Sequence, residues 1–474
     1  MTTEPKPHTG SGMQRRWKVL LVTSVAVFMG FLDVTIVNVA FPDIRASFPD
    51  SSLSGLSWVL NGYNVVFAAL LVPAGRIADI VGRRRLFFIG LITFLAASAA
   101  CGAASSVDML VAARVVQAAG AAILVPTSLG LLLPEFPLEM RATATALWGA
   151  TGAVAAATGP SLGGVLVHAS DWRLVFLVNI PIGLAALIPA RSLLREYKQD
   201  GGQLPDLLGT LLLTLGVAAL SLGIVKGPDW GWGDTKTVSS LIAGIALLIA
   251  LVWRSSTHRA PVFELSLFKV RSFSVAVSGT FLFSLAFYAL LLCNILFLTE
   301  IWHYSILKAG FAVTPGPLMA AVASAISGRF IDRHGQRVLA VPGPLIFATG
   351  CVLFATTLGT ESHYLTHYLP ATILTGTGVG MSFASFSSAA VAELPHTRFA
   401  TGSAIASCLR QVGAVLGISV LIALLGGGQS LNTFQHAYAL MGIPSAAAGI
   451  LALALGRVRA RDPLQTAVQT AESA

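Results

Sequence analysis

Long apolar runs separated by short polar ones dominate the pattern of this chain. A helix that crosses a bilayer needs about 20 mostly apolar residues, and fourteen runs of that kind occur along the sequence. Six lie at about 17–41, 54–75, 86–104, 108–132, 143–167 and 173–191. Two follow at about 207–225 and 238–255, and a last six at about 272–299, 308–328, 338–358, 368–391, 400–426 and 436–456. The pattern predicts an all-α integral membrane protein with fourteen transmembrane helices. The first run starts behind Arg15-Arg16-Trp17-Lys18 and continues for about 25 residues, too long for the apolar core of a signal peptide, so it reads as a retained span.

Composition agrees. Only 11% of residues are charged, against about 25% in an ordinary soluble domain, which is too few to make a water-facing shell. The net charge of +9 does not point to nucleic acid, because the basic residues sit in short clusters between apolar runs. With the N-terminus placed inside, 23 of the 30 Lys and Arg fall on the cytoplasmic side. Five fall outside, and two, Arg114 and Arg410, lie within spans. That asymmetry orients the chain. An even number of spans then puts both termini in the cytoplasm, with the protein in the cytoplasmic membrane. The usage of Ala, Gly and Arg suggests a bacterial host. All four cysteines fall in apolar runs and read as small buried hydrophobes rather than a disulfide framework.

Two loops repeat. Gly75-Arg76-Ile77-Ala78-Asp79-Ile80-Val81-Gly82-Arg83-Arg84 follows the second span, and Gly328-Arg329-Phe330-Ile331-Asp332-Arg333-His334-Gly335-Gln336-Arg337 follows the tenth. The six-span blocks repeat at nearly the same offset as the loops. The expected organisation is a cytoplasmic tail at 1–16, a six-helix bundle at 17–191, a linker with two extra helices at 192–271, a second bundle at 272–457 and a tail at 458–474. Within each loop the glycines permit a tight turn. The aspartate is placed to accept hydrogen bonds from a helix N-terminus. Repeated halves of helical membrane proteins commonly face each other across a central site and transport by rocking.

These residues resemble the major facilitator superfamily, and within it the fourteen-span drug:proton antiporters, over nearly the whole chain. Gly75 to Arg85 looks like the superfamily's signature loop. Leu32-Asp33-Val34-Thr35-Ile36-Val37-Asn38-Val39-Ala40-Phe41-Pro42 is similar to the first-span motif of the drug exporters. Arg114-Val115-Val116-Gln117-Ala118-Ala119-Gly120 resembles the fourth-span motif with its buried arginine. Gly159-Pro160-Ser161-Leu162-Gly163-Gly164 resembles the end of the fifth-span antiporter motif, and Trp172 to Pro181 the start of the sixth span. The stretch before Gly159 departs from the family's glycine pattern. Leu147 and Ala155 stand there, with Gly149 and Gly152 nearby, which predicts a looser helix contact. The resemblance implies a major-facilitator fold of two six-helix bundles plus two inserted helices, and proton-driven export of small hydrophobic or cationic drugs.

Ionisable groups inside a bilayer are expensive and usually functional. Asp33 and Arg114 fall at comparable depth in the first and fourth spans, and a coupled pair is expected. A carboxylate that takes up a proton when its surroundings change links proton movement to substrate movement. The resemblance points to the same two residues. Arg410 opens Arg410-Gln411-Val412-Gly413, similar to a motif of the fourteen-span group, and is expected to act in gating or helix packing. Glu300 ends the ninth span, where it reads as an interfacial carboxylate or an attractor of cations. Asn38, Trp58, Asn61, Tyr63, Gln117, Phe287, Tyr288 and Asn294 are the candidate cavity lining, because aromatic faces bind flat or cationic molecules.

Other classes find little support. No Gly-Lys pair exists for a P-loop, so ATP is not expected. Gly376-Thr377-Gly378-Val379-Gly380 lies in an apolar run and reads as close helix packing rather than a phosphate site. Gly159-Pro160-Ser161-Leu162-Gly163 fits a serine-hydrolase pattern but lacks the strand-to-helix elbow that pattern needs. The chain is therefore expected to be a non-enzyme, without cofactor or metal, working as a monomer on a proton gradient. The alternatives kept open are export of one endogenous metabolite or antibiotic, and proton-coupled import.

Overall fold

The computed structural model describes residues 15–137, 140–198, 205–395 and 398–456, with all of their side chains except those of 141–143, 146, 153, 332 and 400. The predicted C-terminal tail, most of the N-terminal tail and the side chain of Asp332 lie outside what is described. Every regular element among the described residues is helical.

Fourteen long helices appear where the apolar runs predict them. They are α1 (Arg15–Ser47), α2 (Trp58–Val81), α3 (Arg83–Gly102), α4 (Val107–Leu132), α5 (Arg141–Ala169) and α6 (Asn179–Leu193). The linker supplies α7 (Leu207–Trp230) and α8 (Thr235–Thr257). Then come α9 (Arg271–Glu300), α10 (Pro315–His334), α11 (Pro342–Thr357), α12 (Leu369–Ala392), α13 (Phe399–Leu425) and α14 (Leu431–Leu451). Thirteen segments are long and apolar enough to span a membrane by length and composition. The other long helix, α12, carries Gly, Ser and Thr in place of larger apolar residues.

The tenth and eleventh spans are broken at prolines. A short helix, Ile306–Val313, ends just before Pro315, and Arg337–Ala340 ends before Pro342. Proline lacks the N–H that would continue the preceding helix and sits well at a helix start.

The two halves pack in the same way. In the first, α1 lies on α4, α5 and α6, while α4 lies on α2 and α3; in the second, α9 lies on α12, α13 and α14, while α12 lies on α10 and α11. Glycines set the closest crossings. A Cβ on Gly159 would collide with Thr35 Oγ1, and one on Gly163 would lie 2.9 Å from Ile36, both on α1. Gly413 and Gly417 do the same for α13 on α9, where a Cβ on Gly417 would collide with the Leu285 carbonyl oxygen. The looser contact expected upstream of Gly159 holds at Gly149, which has open space beside it. It does not hold at Gly152, which faces the Phe31 ring at 3.0 Å. On α12, Gly376 and Gly380 press against the backbone of α10 and Gly378 against that of α11. This is the close helix packing expected for that glycine run.

The inserted pair is asymmetric. Helix α7 wedges between α2 of one half and α13 of the other, and α8 packs against α7. Ile242, Ile245, Ile249, Val252 and Trp253 of α8 stay exposed. An apolar face of that extent suits lipid, not water. All four cysteines are buried and free.

Replacing Gly417 by Val should destabilise the protein by about 1–3 kcal/mol through overpacking, whereas Gly149→Val should change little. Thermal unfolding of both variants in one detergent checks this; equal unfolding temperatures would remove the glycine crossing as a determinant of packing.

Candidate functional site

Asp33 and Arg114 form a salt bridge, and their side chains are 0% and 1% exposed. Among the described residues it is the one ion pair with both members fully buried. Charges taken out of water are tolerated only when paired and hydrogen-bonded, and this pair is densely supported. Gln117 Nε2 donates to Asp33 Oδ1 at 2.8 Å and to Ser98 Oγ at 2.9 Å. Asn179 Nδ2 donates to Asp33 Oδ1 at 3.4 Å. Arg114 donates from Nη1 to Gln117 Oε1 at 2.7 Å and from Nε to the Val59 carbonyl at 3.1 Å. Its guanidinium also lies 4.0 Å from the centre of the Tyr63 ring. Five of the first six helices, α1, α2, α3, α4 and α6, thus meet around this one ion pair.

The signature loop lies at the arginine-rich end. Gly82 and Gly335 close the two corresponding helices at φ +120° and +84°, the left-handed region that glycine alone adopts freely. Arg83 bonds Asp79 Oδ1 at 2.8 Å and the Gly130 carbonyl at 2.8 Å, tying the turn to α4. Gly75 sits against Pro126. The aspartate does not cap a helix, contrary to expectation. Asp79 is taken by Arg83, and Glu196 of the linker accepts from the Arg84 and Arg85 N–H groups at the start of α3 instead. Arg84 also bonds the Arg191 carbonyl at 2.9 Å, and Arg76 lies within electrostatic reach of Asp206. In the second loop Gln336 takes the place of Arg83 and bonds Ser388 of α12 at 3.3 Å. Gly328, Arg329 and Arg337 are exposed there.

The halves touch at the opposite end. Arg45 bonds Glu300 at 3.1 Å and Gln429 at 2.9 Å, so Glu300 clasps α9 to α1 rather than standing free at an interface. Asn61 donates to Ser419 at 3.2 Å and to Ser221 of the inserted α7 at 3.3 Å. Gly164 and Gly310 allow α5 and the short helix 306–313 to meet backbone to backbone, close to Pro160. Among the described residues, every hydrogen bond and ion pair between the halves lies at this end.

The candidate cavity residues therefore divide. Asn61 is fully buried in that cross-half bond. Trp58 faces a surface crevice with Ser51, Ser52 and Asp108. Asn294 accepts from Tyr438 at 3.0 Å within the second half, and Asn38 donates to the Val34 carbonyl at 2.6 Å. Gln117 belongs to the ion-pair network. Tyr63, Phe287 and Tyr288 remain near the seam between the halves, joined there by Arg410, whose guanidinium lies 5.9 Å from the ring centres of Phe31 and Phe383. Ser98, Asn179, Ser221, Ser419 and Glu196 were missed by reasoning from sequence. Only Asn179 stood in a motif, and the serines carry no spacing signal.

A family model described as Major Facilitator Superfamily matches residues 23–290 and 276–472. This chain belongs to the major facilitator superfamily. It is thus a multi-span membrane transport protein rather than an enzyme, with the fold the sequence motifs implied. Among its relatives, a protein named multidrug resistance protein Stp from Mycobacterium tuberculosis is 33% identical, over 88% of this chain and 77% of its own. A probable actinorhodin transporter of Streptomyces coelicolor is 32% identical, over 87% and 73%. The probable multidrug resistance protein EmrY of Escherichia coli is 31% identical, over 91% and 84%. All three are bacterial. In this superfamily member, the loop between α2 and α3 lies at the arginine-rich end, while the ion pair is buried within the helices.

Arg114→Ala leaves Asp33 buried without its cation and should cost about 3–5 kcal/mol. Adding Asp33→Asn should recover at least half of that loss in thermal unfolding. Losses that simply add in the double variant would mean the pair is not coupled.

Proposed function

We propose that this chain exports small hydrophobic, drug-like molecules, antibiotics among them, in exchange for protons by alternating access. The observation that carries the reading is the Asp33–Arg114 pair. It is fully buried, ties five helices together, and adjoins the seam between the halves through Tyr63. In a low-dielectric interior a proton on Asp33 cancels the attraction that holds Arg114. Arg114 then keeps Gln117 Oε1, the Val59 carbonyl and the Tyr63 ring but no counter-charge, and the first half loses its central ionic tie. Protonation thereby biases the balance between two packings of the halves. The arginine-rich end is assigned to the cytoplasm on the positive-inside rule. With the halves clasped at the far end, the observed arrangement corresponds to a cytoplasm-facing state. Residues 17–191 and 272–457 act as the two rocking bodies, both termini are cytoplasmic, and one chain suffices as the working unit without cofactor or ATP.

The names of the relatives support the drug class of the cargo. A second reading is export of a single antibiotic, favoured by relatives such as the tetracenomycin C resistance and export protein of Streptomyces glaucescens, 30% identical. A susceptibility panel in an efflux-deficient host separates many substrates from one. In everted vesicles, Asp33→Asn should lose at least about tenfold of gradient-driven transport, the loss expected when an essential proton-transfer group is removed, and a protonophore should abolish transport by the wild type. Full pumping by Asp33→Asn at normal expression would overturn the proposal.

A further inference from the structure

Arg410 lies near the middle of α13, at membrane depth, where a guanidinium is costly unless it serves a partner or a cavity. Among the described residues it has no ion pair, and its Nε is buried without a hydrogen-bond partner. It is nevertheless not sealed away, for its side chain is half-buried. It stands between the halves, 5.9 Å from Phe31 of α1 on one side and 5.9 Å from Phe383 of α12 on the other. Phe383 packs edge-on to Phe287 at 5.4 Å, and Phe287 to Tyr288 at 5.1 Å. Tyr288 is within electrostatic reach of both Arg410 and Tyr63, and Tyr63 Oη is buried without a partner.

The charge at this depth is one-sided. Asp33 and Arg114 cancel each other and are enclosed, so Arg410 is left as the charge that a bound molecule at the seam would meet. A guanidinium presents a planar fork of donors that matches a carboxylate with two parallel hydrogen bonds. The Tyr63 hydroxyl adds a donor in search of an acceptor. Flanking phenyl rings accept a flat ring by stacking or edge contact. The same features disfavour a cationic ligand, which would be brought beside an uncompensated positive charge.

We propose that Arg410 is the anion-recognising residue of the substrate site, and that the preferred cargo is a flat aromatic molecule carrying a carboxylate. The ring lies against Phe31 and Phe383, with the carboxylate on Arg410. This deepens the export reading and rests on it for the identity of the site as a transport site. It replaces the cationic cargo implied by the family resemblance with an acidic one. A purely structural Arg410, held by its two phenyl neighbours through cation–π contact, is the competing account.

Equilibrium binding without a proton gradient tests the proposal independently of coupling. The purified full chain in lipid nanodiscs is titrated with three fluorescent probes of similar shape: anthracene-9-carboxylate, its neutral carboxamide, and a trimethylammonium-methyl anthracene. The carboxylate should bind at least about tenfold more tightly than the other two, since hydrogen bonds to a charged group contribute that much or more. Arg410→Gln should bring the carboxylate to the level of the amide while leaving amide affinity unchanged, which also reports that the variant is folded. Arg410→Lys, which keeps the charge but not the fork, should retain a reduced preference and serves if Arg410→Gln does not fold. Equal binding of carboxylate and amide by the wild type, tighter binding of the cation, or an undiminished preference in Arg410→Gln or Arg410→Lys would overturn the assignment. Asp33→Asn should keep the carboxylate preference. Proton-driven efflux that persists in Asp33→Asn with that preference intact would count against the coupling proposal alone, and wild-type efflux without the preference against Arg410 alone.

Discussion

A carboxylate and a guanidinium removed from water must be satisfied on all sides, and that requirement organises the first half of this protein. Asp33 cannot sit at this depth alone, because the effective desolvation penalty is several kcal/mol per ion. Arg114 supplies the counter-charge, Gln117 and Asn179 fill the remaining lone pairs of the carboxylate, and Ser98 accepts from both amides. Each partner arrives on a different helix or a different turn. The geometry of α1, α3, α4 and α6 is therefore fixed by one polar centre as well as by apolar packing. The second half has no counterpart among its described residues. Its interior is held by aromatic contacts among Phe297, Trp302, Phe354, Tyr368 and Tyr438. Two halves of the same packing thus differ in what a proton does to them. Under the proposed coupling, a proton on Asp33 would act on the half built around charge.

Closure at one end has a separate physical origin. Gly164 and Gly310 let backbones approach without side chains between them, and small residues at helix crossings serve where there is no hydrophobic gain from lipid. The polar ties at that end, Arg45 with Glu300 and Asn61 with Ser419, are few, and the first is partly exposed, so its contribution is modest. A clasp of weak ties and close backbones can open without a large penalty. Helix α7 reaches the same place, for Ser221 bonds both Asn61 and Ser419. The inserted pair is thereby attached to the seam itself and not merely to the outside of one half. At the arginine-rich end, Glu196 and Asp206 of the linker lie close to the signature loop, through the α3 N-terminus and Arg76 respectively. The linker therefore reaches the six-helix bundles at both ends.

Much of this was legible from residue order. The fourteen runs, the repeated loops, the pairing of Asp33 with Arg114 and the packing role of the Gly376–Gly380 stretch all follow from rules about lipid, charge and glycine. The cavity assignment fared less well. Asn61, Trp58 and Asn294 have the chemistry of ligand contacts, yet they serve a cross-half bond, a surface crevice and an intra-half bond. Polar residues in a lipid-facing chain are kept away from lipid, so polarity marks that a residue is buried in protein without saying against what. Asp79 failed for a related reason. Its capping role went to Glu196, more than a hundred residues away, and no local pattern announces such a substitute.

What the sequence by itself determined was the class of solvent, the number of helices, their repeat and the positions where charge is unavoidable. Those follow from one-dimensional quantities, since run length, loop charge and motif spacing are set residue by residue. Only the tertiary structure decided which charges cancel and which do not. Asp33 and Arg114 are 81 residues apart and neutralise each other, while Arg410, equally conspicuous as an intramembrane cation, meets phenyl rings from both halves and, among the described residues, no carboxylate. The sign of the field between the halves depends on that three-dimensional pairing, because Coulomb interactions in a low-dielectric interior are governed by distance in space and not by distance along the chain.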